Sequence, residues 1–421
     1  MPPNSESYNL DELEAPSWLD AEYVKEILSS HENDKNVEVI ALKITPASGK
    51  GDHYASVMFR ATVEYKTSKG KFNKSLIIKT MPEKDGHKKD MLDESHIFDT
   101  EIKMYTELLP RFEEILREAG DETSLYVPCI YHSLQPRQVM VFEDLLPQGY
   151  VVVRDRQPTI EEVQSAFTKL AKWHAVSYKL NKEEPDLLEK CKHSLMELPK
   201  ITEEPLFSTG MDFFLQMLDS QPDLRVYKPY FEKIRPTYLQ HCVNTFREYR
   251  VNPQEDAYYV LCHGDFHLRN MMFKHNKTTG QLEDCMLLDF QMCNVGPMAN
   301  DILYAIYSLL SPEQRQNNRD ELVYFYYSKF IETLNKINYD GEIPTLVKFR
   351  EQLFRHKYLD FFLFTSFLPL FVALHNGDFA LSDMIEDKEL RSTFYNYKEY
   401  LAEVRHNLPR YLHLGYFDDL E

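Results

Sequence analysis

A chain of 421 residues with 43% hydrophobic and 13% aromatic content is long enough to bury a large core and to divide into two lobes. Its net charge of -19 argues against a nucleic-acid surface, because no basic field would gather phosphate. Six cysteines without a CxxC pair, and a start that lacks the basic and apolar regions of a signal peptide, point to a reducing cytoplasm.

Residues 1–35 are polar and acidic and read as an N-terminal helical extension. Trp18, Leu19, Tyr23, Ile27 and Leu28 recur at three- and four-residue steps, and Pro16 and Ser17 sit where a helix would begin. Residues 37–44 read as a strand, and residues 55–65 as a second, since Val57, Phe59, Ala61, Val63 and Tyr65 alternate with more polar neighbours. The small-residue loop between them holds Ser48, Gly49 and Gly51, which suit a close backbone approach to phosphate. Two glycines fit an ordinary hairpin turn as well.

Residues 75–80 form a third strand with Lys79 after three apolar positions, as in strands that present a phosphate-binding lysine. A helix follows in which Ile97, Phe98, Ile102, Tyr105 and Leu109 make the apolar stripe and Glu101 lies beside it. Glu101 is the expected ion-pair partner of Lys79, with Glu94 as the competing acid. Residues 139–145 read as a strand running into a turn, where the backbone of Glu143 and Leu145 would meet an adenine edge; a plain edge strand is the other reading.

Beyond residue 150 the pattern turns helical. Thr159 and Glu162 form a capping box, and Val163, Phe167, Leu170, Ala171 and His174 share a face, His174 as a hydrogen-bonded core residue. Residues 181–205 read as a surface connection with short helical pieces. The longest apolar stretch, residues 361–374, is too short and too interrupted to span a membrane and is expected as a buried helix.

The chemistry sits in Leu261-Cys262-His263-Gly264-Asp265-Phe266-His267-Leu268-Arg269-Asn270, with Asp289 24 residues after Asp265 behind an apolar triplet. Phosphoryl transfer is mostly the placing of charge, and needs one carboxylate to orient the attacking hydroxyl and hard oxygen ligands for Mg²⁺. Asp265 fits the first role; Asn270, five residues on, and Asp289 fit the second. The bland alternative is a His-Gly-Asp turn with Asn270 as a helix cap. Only 12 positions separate Asp289 from Asp301 and no Ala-Pro-Glu follows, which argues for a small-molecule acceptor over a peptide. Asp301, beside a helix start, is read as its cap, with anchoring of the catalytic loop as the alternative.

The chain resembles the ecdysteroid kinase-like family, relatives of the choline and aminoglycoside kinases. The resemblance rests on Pro16-Ser17-Trp18, the loop from Pro46 to Asp52, Glu101 before Met104-Tyr105, Glu143-Asp144-Leu145, the stretch from Leu170 to Ala175, the His263 to Asn270 loop and Asp289-Phe290-Gln291. It implies an α+β, protein-kinase-like bilobal fold: a small antiparallel-sheet lobe with one main helix over 36–145, and a larger, mostly helical lobe over 146–421. It also implies ATP and Mg²⁺ as cofactors, Asp265 as catalytic base, Asn270 and Asp289 as metal ligands, and Lys79 paired with Glu101. Two departures are His267, where many members carry Trp, and Gln291, which replaces the glycine of the protein-kinase Asp-Phe-Gly and agrees with this family.

The expected activity is ATP-dependent phosphorylation of a small-molecule hydroxyl, on an ecdysteroid or a xenobiotic alcohol. A choline- or ethanolamine-type kinase and a catalytically silent binding protein on the same scaffold are the alternatives. The sequence leaves the acceptor and the oligomeric state open.

Overall fold

The computed structural model describes residues 14–47, 56–81, 97–154, 156–189, 191, 194, 196, 201–376, 384 and 387–420. The phosphate-loop candidates Ser48, Gly49 and Gly51, and the competing acid Glu94, lie outside them. The chain divides into two units: residues 1–107 with 126–151, and residues 108–125 with 152–421. The division thus falls at 151 rather than 145, and residues 108–125 count with the second unit.

The first unit is built on a five-stranded antiparallel sheet. Its strands are β1 (Glu38–Pro46), β2 (Val57–Thr67), β3 (Gly70–Thr80), β4 (Cys129–Ser133) and β5 (Val139–Glu143), in spatial order β1-β2-β3-β5-β4. Alternation works as the sequence predicts: Val57, Phe59, Ala61, Val63 and Tyr65 all face inward. β3 starts earlier than expected because Ser68 and Lys69 make a two-residue turn and the polar stretch that follows pairs on to Thr80. β4 was not foreseen, since its half-exposed Cys-Ile-Tyr-His-Ser carries little apolar signal.

The predicted N-terminal helix spans Ala21–Glu32 and starts later than Pro16, because Asp20 is the N-cap and accepts from Tyr23 N at 2.9 Å. Leu19, Val24, Ile27 and Leu28 join the inward residues of β2 and β3 in one apolar cluster, so the helix completes the core of this unit.

The second unit is mainly helical. Its axis is the helix Ile160–Glu183, and the predicted capping box is formed in both directions: Thr159 Oγ1 accepts from Glu162 N and Glu162 Oε2 accepts from Thr159 N. Arg156 neutralises the buried Glu162. Arg319–Lys336 packs along it, and Gly210–Ser220, Tyr238–Val251, Ala299–Ser308, Leu346–Arg355 and Lys398–His413 are the other main helices of the unit. Two short antiparallel pairs carry the site: β6 (Tyr259–Cys262) with β9 (Asn294–Pro297), and β7 (Met271–His275) with β8 (Leu282–Leu287).

The apolar stretch at 361–374 belongs to the helix Lys357–Asn376, whose 20 residues and mean hydropathy of 1.5 suffice by length and composition to cross a membrane. Most of it is buried inside the protein. Its Asp360 is fully buried and accepts from Tyr307, from Tyr411 and Tyr416 at 3.0 Å each, and from Arg319 at 3.3 Å. That polar network marks a core helix, as expected.

Candidate active site

In the first unit Lys79 lies on β3 between Met58 of β2 and Met140 of β5. A lysine on an inner strand, 3% exposed, needs a counter-charge. Glu101, 1% exposed on the helix Ile97–Lys103, supplies it: Nζ to Oε2 is 2.6 Å. The sequence-predicted pair is therefore brought together.

At the end of β5, Glu143 is partly exposed, 3.4 Å from Lys74. Leu145 is buried, and its carbonyl accepts from Gln148 N at 3.0 Å and Tyr150 N at 3.3 Å. The turn thus occupies that carbonyl. Asp144 between them is a tie that the sequence reading missed. It accepts from Arg60 Nε at 2.7 Å, Ser75 Oγ at 2.8 Å and Leu146 N at 3.1 Å. Burial raises its carboxyl, but Arg60 and Ser75 outweigh that and hold it below the usual range.

In the second unit the loop after β6 carries Asp265. Gly264 stands at φ +81, and a Cβ there would lie 2.2 Å from Met292 O, so glycine is demanded twice over. The loop closes with a short 3₁₀ turn, Leu268–Asn270, and runs straight into β7. Met271 pairs with Leu287, and Leu288 N donates to Asn270 O at 3.0 Å. The β7–β8 hairpin therefore sets Asn270 next to the residue before Asp289. Sequence separation is erased by strand register. Asp289 itself is in the left-handed region, φ 63, and its Oδ2 accepts from Gln291 Nε2 at 3.3 Å.

Asn270 Nδ2 donates to Asp265 O and to Asp265 Oδ2, each at 3.0 Å. With the amide nitrogen so committed, the amide oxygen is turned away from Asp265 and is left for a cation. It and the Asp289 carboxylate are hard oxygen donors of the kind Mg²⁺ prefers, so the residues present fit that ion. Asp265 Oδ1 accepts from Tyr304 OH at 2.8 Å, and His267 Nε2 stands 3.4 Å from Oδ2. Burial pushes the Asp265 carboxyl up, but His267 and Tyr304 prevail and bring it down to about 2. Burial lowers His267 in turn, and the Asp265 carboxylate raises it above its ordinary value. Asp265 is therefore ionised at neutral pH, as a group that accepts a hydroxyl hydrogen must be.

The predicted cap Asp301 is corrected here. The helix Ala299–Ser308 begins at Met298 without a side-chain cap, and Asp301 instead takes His263 N on Oδ2 at 2.6 Å and Gly264 N on Oδ1 at 2.9 Å. Three residues on, Tyr304 holds Asp265; four further, Ser308 Oγ lies 3.1 Å from Phe266 O. One face of a single helix thus grips four consecutive loop residues. His174 buttresses it, 3.1 Å from Asp301 Oδ2 and 2.6 Å from Tyr326 OH, in the core role expected.

His263 joins the two halves of the loop region. It is fully buried, burial keeps its imidazole below the ordinary value, and Nε2 donates to Leu288 O at 3.1 Å. Its ring lies between Trp173 and Phe266, and Trp173 stacks on Phe290 at 5.3 Å while donating to Leu261 O. Nearby in the helical unit Phe361, Phe362, Phe364, Phe213 and Phe214 are buried core, while Phe367 and Phe371 are only half-buried.

Among solved structures, choline kinase from Cryptosporidium parvum Iowa II aligns at 8% identity and TM-score 0.40, covering 94% of this chain and 98% of that one. Aminoglycoside phosphotransferase from Alicyclobacillus acidocaldarius aligns at 13% identity and TM-score 0.34, covering 83% and 90%. No curated protein matches the chain. The sequence profile of the ecdysteroid kinase-like family matches residues 50–339, which takes in Lys79, Glu101 and the whole loop from His263 to Asp289. The chain, with its small antiparallel-sheet unit and larger helical unit, belongs to the ecdysteroid kinase-like family of small-molecule, kinase-like phosphotransferases.

Proposed function

We propose that this protein is an ATP-dependent phosphotransferase that phosphorylates a hydroxyl of a small molecule, an ecdysteroid or a xenobiotic alcohol. One observation carries the reading: an ionised Asp265 has its carboxylate fixed at both oxygens, beside an Asn270 whose amide oxygen takes no partner among the described residues, with Asp289 next to it by strand register. Such an arrangement does little covalent chemistry and much placing of charge, which is what phosphoryl transfer requires.

In this reading Asp265 accepts the hydrogen bond of the acceptor hydroxyl and orients its oxygen. Asn270 and Asp289 would hold Mg²⁺, which when bound supplies positive charge to the phosphate oxygens. Lys79, steadied by Glu101, is the cation offered to the nucleotide phosphates. The strand end at Glu143 and Leu145 is offered to an adenine edge, through the Leu145 N–H rather than its carbonyl, which the turn takes. A cytoplasmic location fits six cysteines that form no disulfide among the described residues, five of them buried.

The test is release of ADP from MgATP across a panel of ecdysteroids, phenolic and glycosylated alcohols, and choline. Turnover with an alcohol supports the reading, and transfer to choline alone points to the choline-type alternative. Tight nucleotide binding with no transfer to any acceptor, unchanged in Asp289→Ala, would count for a silent scaffold.

A further inference from the structure

The proposed reaction makes the two oxygens of Asp265 unequal. Oδ2 already faces Asn270 Nδ2 at 3.0 Å and His267 Nε2 at 3.4 Å. Oδ1 takes Tyr304 OH at 2.8 Å. A carboxylate oxygen offers two lone-pair directions, so Oδ1 is the oxygen with a direction still open among the described residues.

The rotation that would exchange the oxygens is soft, because the terminal torsion of an aspartate is broad and roughly two-fold. A carboxylate held at one oxygen can still swing; held at both, its plane is set. Tyr304 is the second hold. Its own ring is constrained from behind by Phe367 and Phe371, at centroid distances of 6.4 and 6.0 Å in edge-on packing. Its helix is clamped to the same loop by Asp301 on one side and Ser308 on the other.

We infer that Tyr304 is a positioning residue for the phosphotransfer: its hydroxyl fixes the carboxylate plane of Asp265 so that the open lone pair of Oδ1 receives the acceptor's proton. This rests on the phosphotransfer reading above. In the step, the acceptor O–H bond breaks and its proton passes to Asp265 Oδ1. The acceptor oxygen bonds the γ-phosphorus, and the bond from that phosphorus to the β,γ-bridging oxygen breaks, its electron pair leaving with ADP. Tyr304 touches no reacting atom and acts through Asp265.

The experiment uses the full chain with MgATP and two acceptors, ecdysone and water, the latter read as slow ATP hydrolysis. Tyr304→Phe keeps the ring and removes only the hydroxyl. Expected is a fall in kcat of about tenfold to a hundredfold for whichever acceptor the wild type uses, with KM for ATP within about twofold. In an Asp265→Asn background the same change should cause no further loss, because the hydroxyl then has no base to steer; a merely structural role would multiply instead. Tyr304→His, a ring that retains a donor, gives a second variant for the same comparison and should recover part of the rate. An unchanged kcat in Tyr304→Phe, or a full multiplicative loss in the double variant, overturns the inference while leaving the kinase reading intact. A wild type that transfers phosphate to neither acceptor nor any alcohol of the wider panel takes down that reading and this one together.

Discussion

The loop His263–Asn270 and the first turn of the helix Ala299–Ser308 each present one aspartate, and the two differ in what is left over. Asp301 is 1% exposed and spends both oxygens on the protein, on His263 N, Gly264 N and His174. Asp265 keeps about a quarter of its side chain open and one lone-pair direction unfilled. Twin carboxylates within hydrogen-bonding reach of adjacent loop residues therefore divide the labour: a saturated one builds, and an unsaturated one is available for chemistry.

The sharpest test of that division is Asp265→Asn. It should lower kcat by about 10²- to 10⁴-fold while the thermal midpoint and MgATP binding stay close to wild type, read by turnover, calorimetry and nucleotide titration. Asp301→Ala should do the reverse in kind. It strands two loop N–H groups and a buried imidazole, each orphan costing about 1–3 kcal/mol, so urea unfolding should show a loss of several kcal/mol. If Asp301→Ala left stability untouched, the contrast would be broken.

Gly264→Ala probes the same loop through its backbone. A side chain at φ +81 with Met292 O at 2.2 Å should cost about 1–3 kcal/mol for the conformation alone, with further loss from the clash, and depress kcat because Asp265 moves with it.

At pH 7 the smallest expected effect concerns a different buried group. His356 is 3% exposed, and burial with the neighbouring Arg355 brings its imidazole down from 6.5 to about 3. The folded state therefore prefers the neutral ring. The associated stability is complete above pH 6.5 and drains away as pH falls toward 3, at about 1.4 kcal/mol per unit within that window. His356→Gln should flatten the pH dependence of the urea midpoint between pH 6 and about 4. An equal slope in that variant would show that another group governs acid unfolding.

The two units were unequally legible. In the sheet unit, alternation along β2 and the apolar run ahead of Lys79 are local patterns, and the sequence identified the strand, the lysine and its Glu101 partner from them. Its misses were local too: the weak β4, and the cap that fell on Asp20 instead of near Pro16. In the helical unit the motif named Asp265, Asn270 and Asp289, but not the residues that hold them. His263, Asp301 and Tyr304 act across 25 to 39 positions of chain through individual hydrogen bonds, and no periodicity records such a partner.

What the amino-acid order determined by itself was the repertoire: which stretches alternate, which oxygens sit at phosphotransfer spacing, and that one lysine ends an apolar strand. Those are properties of neighbours along the chain, where side-chain direction follows from period alone. Tertiary structure decided which aspartate is saturated and which remains open. Whether a carboxylate is consumed by donors depends on groups that only packing brings within about 3 Å of it.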